Sequence, residues 1–351
     1  MIGKSLVRIV IMALLDENRL LPHDPSARAI ARQLYDSVRD APIISPHGHV
    51  EPVWFAKNEP FSNPTELFIT PDHYIVRMLV SQGITLEQLG IRRKDGADAG
   101  NLPNPRTVWR IFAAHYHCFR ATPSRMWLDH VFETLFGMDV VLSADNADDY
   151  YDHIADYLGT EAFRPRALFD QFNIEVIATT ESPLDPLASH QALVQSDWNG
   201  RVITTYRPDA IINPHASSID DGGFATAIEE LGAITGLATT SWDGYLDAHR
   251  DRRAFFRSFG ATASDHGHPS AFTTVLDKAQ AASLFDKALQ GRISEHDAEL
   301  FRGHMLVEMA RMSCDDGMVM QLHAGSHRNH AQQIFDDYGT DKGFDIPMRT
   351  D

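Results

Sequence analysis

The stretch Pro42-Ile43-Ile44-Ser45-Pro46-His47-Gly48-His49-Val50 joins a short Ile-rich run to a His-x-His pair. The run reads as a buried strand that stops at Pro46. Along extended backbone, side chains repeat with period two, so His47 and His49 leave one face and can converge on a single cation. Gly48 lets the backbone come close to that point. Two unrelated loop histidines would also satisfy so short a pattern. Position at a strand's carboxyl end, where parallel barrels collect their chemistry, tilts the reading toward a metal.

The same arrangement recurs downstream. Ile174 to Ala178 is a strand pattern that runs into Thr179-Thr180-Glu181-Ser182-Pro183, and Val202 to Thr205 runs into Tyr206-Arg207-Pro208-Asp209. A short strand near Phe259 to Ala263 precedes Ser264-Asp265-His266-Gly267, and Met318 to Leu322 ends in His323-Ala324-Gly325. Helical segments separate these runs, one of them opened by an S-x-x-D capping box at Ser294 and Asp297. Strands alternating with helices, with polar residues crowded at each strand's carboxyl end, predict an α/β fold of the parallel barrel kind. An open doubly wound sheet is the alternative, but no G-x-G-x-x-G or Walker lysine pattern follows any strand. The chain is therefore read as a single barrel domain over 1–351, with a helical insertion subdomain over 55–172 after the first strand.

Ahead of the first strand, Asp24-Pro25-Ser26 introduces a helix over Ala27 to Val38. Inside the insertion, Thr70 is read as N-cap and Pro71 as the first position of a helix with Tyr74, Met78 and Leu79 on its apolar face. His73 and Tyr74 then lie in the first turn, beside unpaired amides. Leu102-Pro103-Asn104-Pro105 breaks the chain before an aromatic helix over Val108 to Phe119. His115 and His117 sit on that helix, where residues two apart point about 200° apart, so they are read as packing or polar-face histidines, not as a metal pair.

Composition narrows the partners. In 351 residues, 43% of them hydrophobic, the chain can bury a large core. Its 31 Lys+Arg against 48 Asp+Glu leave a net charge of -17, which argues against nucleic acid or an anionic membrane surface. Among macromolecules, at most a homo-oligomer is expected as partner. Cys118 and Cys314 are the only cysteines, too few for a disulfide framework. The apolar patch from Met1 to Leu15 is interrupted by Arg8 and followed by Asp16-Glu17-Asn18 without a small-residue cleavage site. It reads neither as a signal peptide nor as a span, and a cytoplasmic location is expected.

In so acidic a chain, an arginine after a strand is informative. Arg207 has the fork geometry for a carboxylate, either a substrate's or that of Asp209. Asp265-His266 suits a general base pair, a metal ligand set or a turn. His323 suits a third metal-site histidine, a substrate ligand or a buried hydrogen-bonded imidazole. Arg328 and Asn329 open the next helix near the same mouth, or form a solvated turn.

Together, Pro42 to His49, Asp72-His73-Tyr74 with Arg77-Met78-Leu79, Trp109-Arg110-Ile111-Phe112, Thr122-Pro123-Ser124-Arg125, Thr205-Tyr206-Arg207-Pro208-Asp209 and Gln321-Leu322-His323-Ala324-Gly325 resemble the uronate isomerase (glucuronate isomerase) family of the amidohydrolase superfamily. The likeness runs from Met12 onward. It implies a distorted TIM (β/α)8 barrel of the metal-dependent hydrolase type. The implied reaction converts D-glucuronate to D-fructuronate, and D-galacturonate to D-tagaturonate, by proton transfer between C2 and C1 through a cis-enediol. It also implies a divalent metal, zinc, on His47 and His49. His73 and Tyr74 match a substrate-contacting pair, and Arg207 matches a carboxylate-binding arginine. The candidate catalytic set is then His323, Asp265, His266 and Tyr74, and the candidate substrate-binding set is His73, Tyr74, Arg207 and Arg328.

One departure stands out. A complete barrel has eight strands, and the sequence offers five before Asp351. The family's proton-transferring aspartate, which also ligates the metal, lies on its eighth strand, so the chain is expected to be incomplete and inactive as it stands. A metal-dependent hydrolase on the same scaffold and an inactive sugar-acid-binding fragment are the competing expectations.

Overall fold

The computed structural model describes residues 15–97, 100–215 and 223–350. The apolar patch read at the amino terminus falls, up to residue 14, outside the described residues. The chain divides into two compact units, Met1–Ala41 with Pro60–Arg164 and Asp336–Gly343, and Pro42–Glu59 with Pro165–Phe335 and Phe344–Asp351.

The first unit is helical. Its helices Pro25–Asp36, Pro64–Phe68, Pro105–Ala114 and Pro123–Phe136 each begin on a proline, and Asp24, Asn63, Asn104 and Thr122 cap them by accepting a hydrogen bond from a first-turn amide. Proline lacks the N–H that a first turn cannot pair, and the preceding short polar side chain satisfies one that it has. Trp109, Phe112, Tyr116, Phe119, Phe132 and Tyr150 form the aromatic core, none more than 1% exposed. Burying each such ring contributes roughly 2–3 kcal/mol. The aromatic helix ends sooner than expected, at Ala114, and continues as a 3-10 turn over Tyr116–Phe119. The cap expected at Thr70 is in fact Asp72, whose carboxylate accepts from the amides of Tyr74 and Ile75 at 2.8 and 3.1 Å. Thr70 instead donates to Thr65 O, and the helix runs His73–Ser81. Proline at 71 is compatible with a helix start, but a carboxylate that reaches two amides at once fixes the boundary two residues later.

The second unit is built on a parallel sheet. Strands β1 (Ile43–Ser45), β2 (Ile174–Glu181), β3 (Arg201–Tyr206), β4 (Ala263–His266) and β5 (Val319–Leu322) lie in the order β1-β2-β3-β4-β5. Every pair in it is parallel. Although β1 and β5 are the outer strands, Gln321 Nε2 at the end of β5 donates to Pro46 O beyond β1 at 3.0 Å. The sheet is therefore curled, as in the wall of a barrel, and the barrel reading of the sequence is borne out. The helices Ala188–Val194, Trp242–Ser258 and Glu295–Asp316 provide the crossovers. Tyr206, Tyr245, Phe256, Phe285, Phe301, Met305 and Met309 are fully buried among them. Arg253, 1% exposed, reaches across this core to Asp316, with Nε–Oδ2 at 2.6 Å and Nη2–Oδ1 at 2.9 Å.

Several boundaries differ from the sequence reading. β1 is not buried: Ile43 and Ile44 are 49% and 61% exposed, because an edge strand pairs on one side only, here with β2. β2 extends through Thr179-Thr180-Glu181, since β3 pairs with it along that length. The fourth strand begins at Ala263, so Asp265 and His266 belong to the strand itself. After β5, Ser326–His327 and Ile346–Pro347 pair as a small antiparallel ribbon. No described helix is long and apolar enough to cross a membrane.

Candidate active site and metal centre

His47 and His49 follow β1 and do share a face: their Nε2 atoms lie 3.1 Å apart and their rings meet edge-on. The other nitrogen of His47 faces the far side of the curl, with Nδ1 3.0 Å from Gln321 Oε1 and 3.7 Å from Asp265 Oδ1. His323, just past β5, brings Nε2 to 2.7 Å from the same Asp265 oxygen. The expected pair is thus part of a larger cluster of His47, His49, Asp265 and His323. Gly48 is needed where it stands, because a Cβ there would lie 3.1 Å from Ala178 O.

Charge is distributed unevenly in this cluster. Asp265 is fully buried, which by itself would raise its pKa, but the hydrogen bond from His323 and the charge of Arg207 outweigh burial and hold the carboxyl below its usual range. The His323 imidazole is raised, first by its hydrogen bond to Asp265 and against the effect of burial. His49 is lowered, chiefly by burial and then by the neighbouring charges of His47 and Arg207. The result is an ionised carboxylate, one imidazole inclined to carry a proton and another inclined to stay neutral.

Arg207 follows β3. Its Nε lies 3.1 Å from Asp209 Oδ2 and its Nη1 3.5 Å from Asp265 Oδ2. The pairing with Asp209 is thus present, and Asp209 orients a guanidinium that borders the cluster. Both Asp209 oxygens also accept from the Gly267 amide, at 3.1 and 3.0 Å. A cavity of about 460 Å³ opens beside His49, lined among others by Glu51, Thr180, Glu181, Asp185 and His190. Burial pushes the Glu181 carboxyl up to about 7, against hydrogen bonds from Thr179 and Thr204.

The remaining expected residues are placed as follows. His73 and Tyr74 open their helix in the helical unit, with ring centroids 4.3 Å apart and Tyr74 exposed. Asp265 and His266 do not act as a pair, because successive strand residues face opposite ways. Asp265 joins His47 and His323, whereas His266 joins Asp209 and His268. His323 is not the fully buried imidazole that one reading allowed, its side chain being 41% exposed. Arg328 does not open a helix: it follows the short ribbon strand Ser326–His327 and pairs with Asp345 at 3.3 Å on an exposed turn, where Asn329 takes a positive φ. His115 and His117 each place Nδ1 against a carbonyl oxygen, of Ile111 and Ala114, in keeping with the packing role read for them. Cys118 and Cys314 are free.

Three contributors escaped the sequence reading: Gln321 as a polar partner of His47, and Asp209 and His268 as companions of His266. A signal for His268 was present, because His266-Gly267-His268 repeats the tripeptide at 47–49.

Comparison with known proteins follows the same lines. A family model described as glucuronate isomerase matches residues 12–351. A uronate isomerase of Xanthomonas euvesicatoria pv. vesicatoria is 57% identical over 337 residues, covering 96% of this chain and 70% of that protein. One from Mesorhizobium japonicum is 54% identical over 340 residues, covering 97% and 71%. The crystal structure of a glucuronate isomerase from Caulobacter crescentus superposes with a TM-score of 0.90 at 51% identity, over 96% of this chain and 69% of that one. A uronate isomerase from Thermotoga maritima shares the fold, with a TM-score of 0.83 at 24% identity over 95% of this chain and 70% of that one. These matches favour the isomerase expectation over a hydrolase on the same scaffold, and on them the chain belongs to the glucuronate isomerase family.

Proposed function

We infer that the cluster around Asp265 serves the aldose–ketose isomerisation of hexuronates such as D-glucuronate and D-galacturonate. The observation that carries this reading is the placement of Arg207, held by Asp209 and 3.5 Å from Asp265, beside a set of imidazoles in a chain of the glucuronate isomerase family. A guanidinium fork recognises a carboxylate in two places, which distinguishes a uronate from a neutral sugar.

The donor set fits a divalent cation of the zinc type. His47, Asp265 and His323 each offer a ligand atom within 4.8 Å of the others, and His49 Nε2 converges on His47. Nitrogen donors with one carboxylate suit zinc better than magnesium or calcium. When bound, such a cation supplies Lewis-acid polarisation of the sugar oxygens. The chain's own residues do the rest of the work. Arg207 anchors the carboxylate and so sets the position of C1 and C2. His323, held in place by its 2.7 Å contact with Asp265, borders the oxygens on which negative charge develops as the enediol forms. Asp265 keeps that imidazole in place. Among the described residues, Asp265 is the carboxylate placed to accept the C2 proton.

The test is calorimetric titration of the 351-residue chain with D-glucuronate and with glucose, in the presence of zinc, alongside a reductase-coupled assay for the ketose. Saturable binding of the uronate, absent for glucose and lost in Arg207→Met, is expected. Equal treatment of the two sugars would overturn the reading. Ketose formation by this chain would point to Asp265 or His323 as the proton acceptor, and binding without it would count against both in that role.

A further inference from the structure

The tripeptide His-Gly-His occurs at 47–49 and again at 266–268, each time at the carboxyl end of a parallel strand. The second copy is not used by the reaction outlined above. His266 is 0% and His268 4% exposed, and their rings meet edge-on at 5.9 Å. Among the described residues, neither His266 Nδ1 nor His268 Nε2 has a hydrogen-bond partner, although both atoms are buried. Ligand atoms of His266, His268 and Asp209 all lie within 4.8 Å of one another.

Buried polar atoms are ordinarily paired, so two orphan imidazole nitrogens in a group that also holds a carboxylate call for an occupant. The surroundings match those of a ligating histidine. On the opposite side of the His266 ring, Nε2 lies 2.9 Å from Ser264 Oγ, the kind of outer contact that fixes tautomer and orientation in metal sites. Asp209 is anchored by the Gly267 amide through both oxygens and by Arg207 Nε at Oδ2, so Oδ1 is the oxygen that retains a lone pair for a further partner.

We propose that Asp209, His266 and His268 form a second divalent-cation site, distinct from the His47 cluster and suited to a nitrogen-preferring ion such as zinc or cobalt. This inference does not depend on the hexuronate reading. Because Arg207 Nε already occupies Asp209 Oδ2 at 3.1 Å, an ion here shares its carboxylate with a cation and binds more weakly than at a site without that competitor. It also draws Asp209 away from Arg207, so filling the site changes how firmly the guanidinium is held.

Cobalt(II) is the probe, because its visible absorption reports nitrogen ligation directly. The metal-stripped chain is titrated with cobalt and its stoichiometry measured by equilibrium dialysis. Two equivalents are expected for the unmodified chain, the second weaker. The double variant His47→Asn with His49→Asn leaves the buried histidines untouched, and it is expected to retain one equivalent with a nitrogen-ligated spectrum. In that background, Asp209→Asn or His268→Gln removes the remaining equivalent, with circular dichroism confirming an unchanged fold. A single equivalent in the unmodified chain, or none in the His47/His49 double variant, overturns the proposal. So does a second equivalent that survives both Asp209→Asn and His268→Gln. Retention of both equivalents in the double variant would instead count against the His47 cluster as a metal centre.

Discussion

His323 Nε2 lies 2.7 Å from Asp265 Oδ1, and this contact sets the charge on both residues: the imidazole is raised and the carboxyl lowered. Asp265→Asn should therefore move the His323 titration downward in the metal-free protein. Histidine proton resonances followed by NMR across pH 5 to about 9 check it. A His323 titration unchanged by the substitution would show that the two groups are uncoupled.

Arg207→Met keeps the length of the side chain while removing its charge and its donors. Binding of D-glucuronate should weaken by on the order of 2–5 kcal/mol, the cost of losing one partner of a hydrogen-bonded charge pair. Isothermal titration of the two proteins measures it. Unaltered affinity would assign Arg207 to holding Asp209 and nothing more.

Glu181 gives a pH dependence of stability. Burial raises its carboxyl from 4.5 to about 7, so the fold prefers the protonated form. The contribution is fully present below the unfolded-state value near 4.5 and is lost as pH rises through 7. Glu181→Gln is neutral throughout and lacks that loss. Above pH 8 the variant should be more stable than the unmodified chain by on the order of 3 kcal/mol, with near equality at pH 4.5. Urea unfolding at the two pH values decides it, and parallel midpoints across the range would contradict the assignment.

The Arg253–Asp316 pair links the helices Trp242–Ser258 and Glu295–Asp316 inside the second unit. Asp316→Ala would leave a guanidinium 1% exposed without its carboxylate. The expected loss is about 3–5 kcal/mol, seen as a lower denaturation midpoint. Replacing both partners, as Arg253→Met with Asp316→Leu, should cost far less, because no buried charge is then left unpaired.

Much of the site was legible because strand ends carry it. Polar residues following apolar runs marked His47, His49, Arg207, Asp265 and His323 before any contact was known, and period two correctly brought His47 and His49 together. The same period, applied to Asp265 and His266, sends them to two different ligand groups, so of the three readings left open for them the base pair is the one the strand geometry disfavours. Exposure of Ile43 and Ile44 was not legible, since an apolar run looks alike in a central and an edge strand. Gln321 and Asp209 gain their roles only from the curl of the sheet and the turn after β3, and neither leaves a periodic trace. The helix boundary at Asp72 turned on which of two neighbouring caps reaches more amides, a matter of side-chain geometry.

Gly267 is the point at which several separately encoded groups depend on a single codon. A methyl group there would lie 2.8 Å from Asp209 Oδ2, 3.0 Å from Arg207 Nη2 and 3.1 Å from His323 Cε1. Substitutions at those three residues each disturb one function and leave the others to be rescued individually. A change at 267 presses on carboxylate, guanidinium and imidazole at once. The smallest residue in the neighbourhood thus sets the clearance of three functional side chains together, although it contributes no side-chain atom to the chemistry.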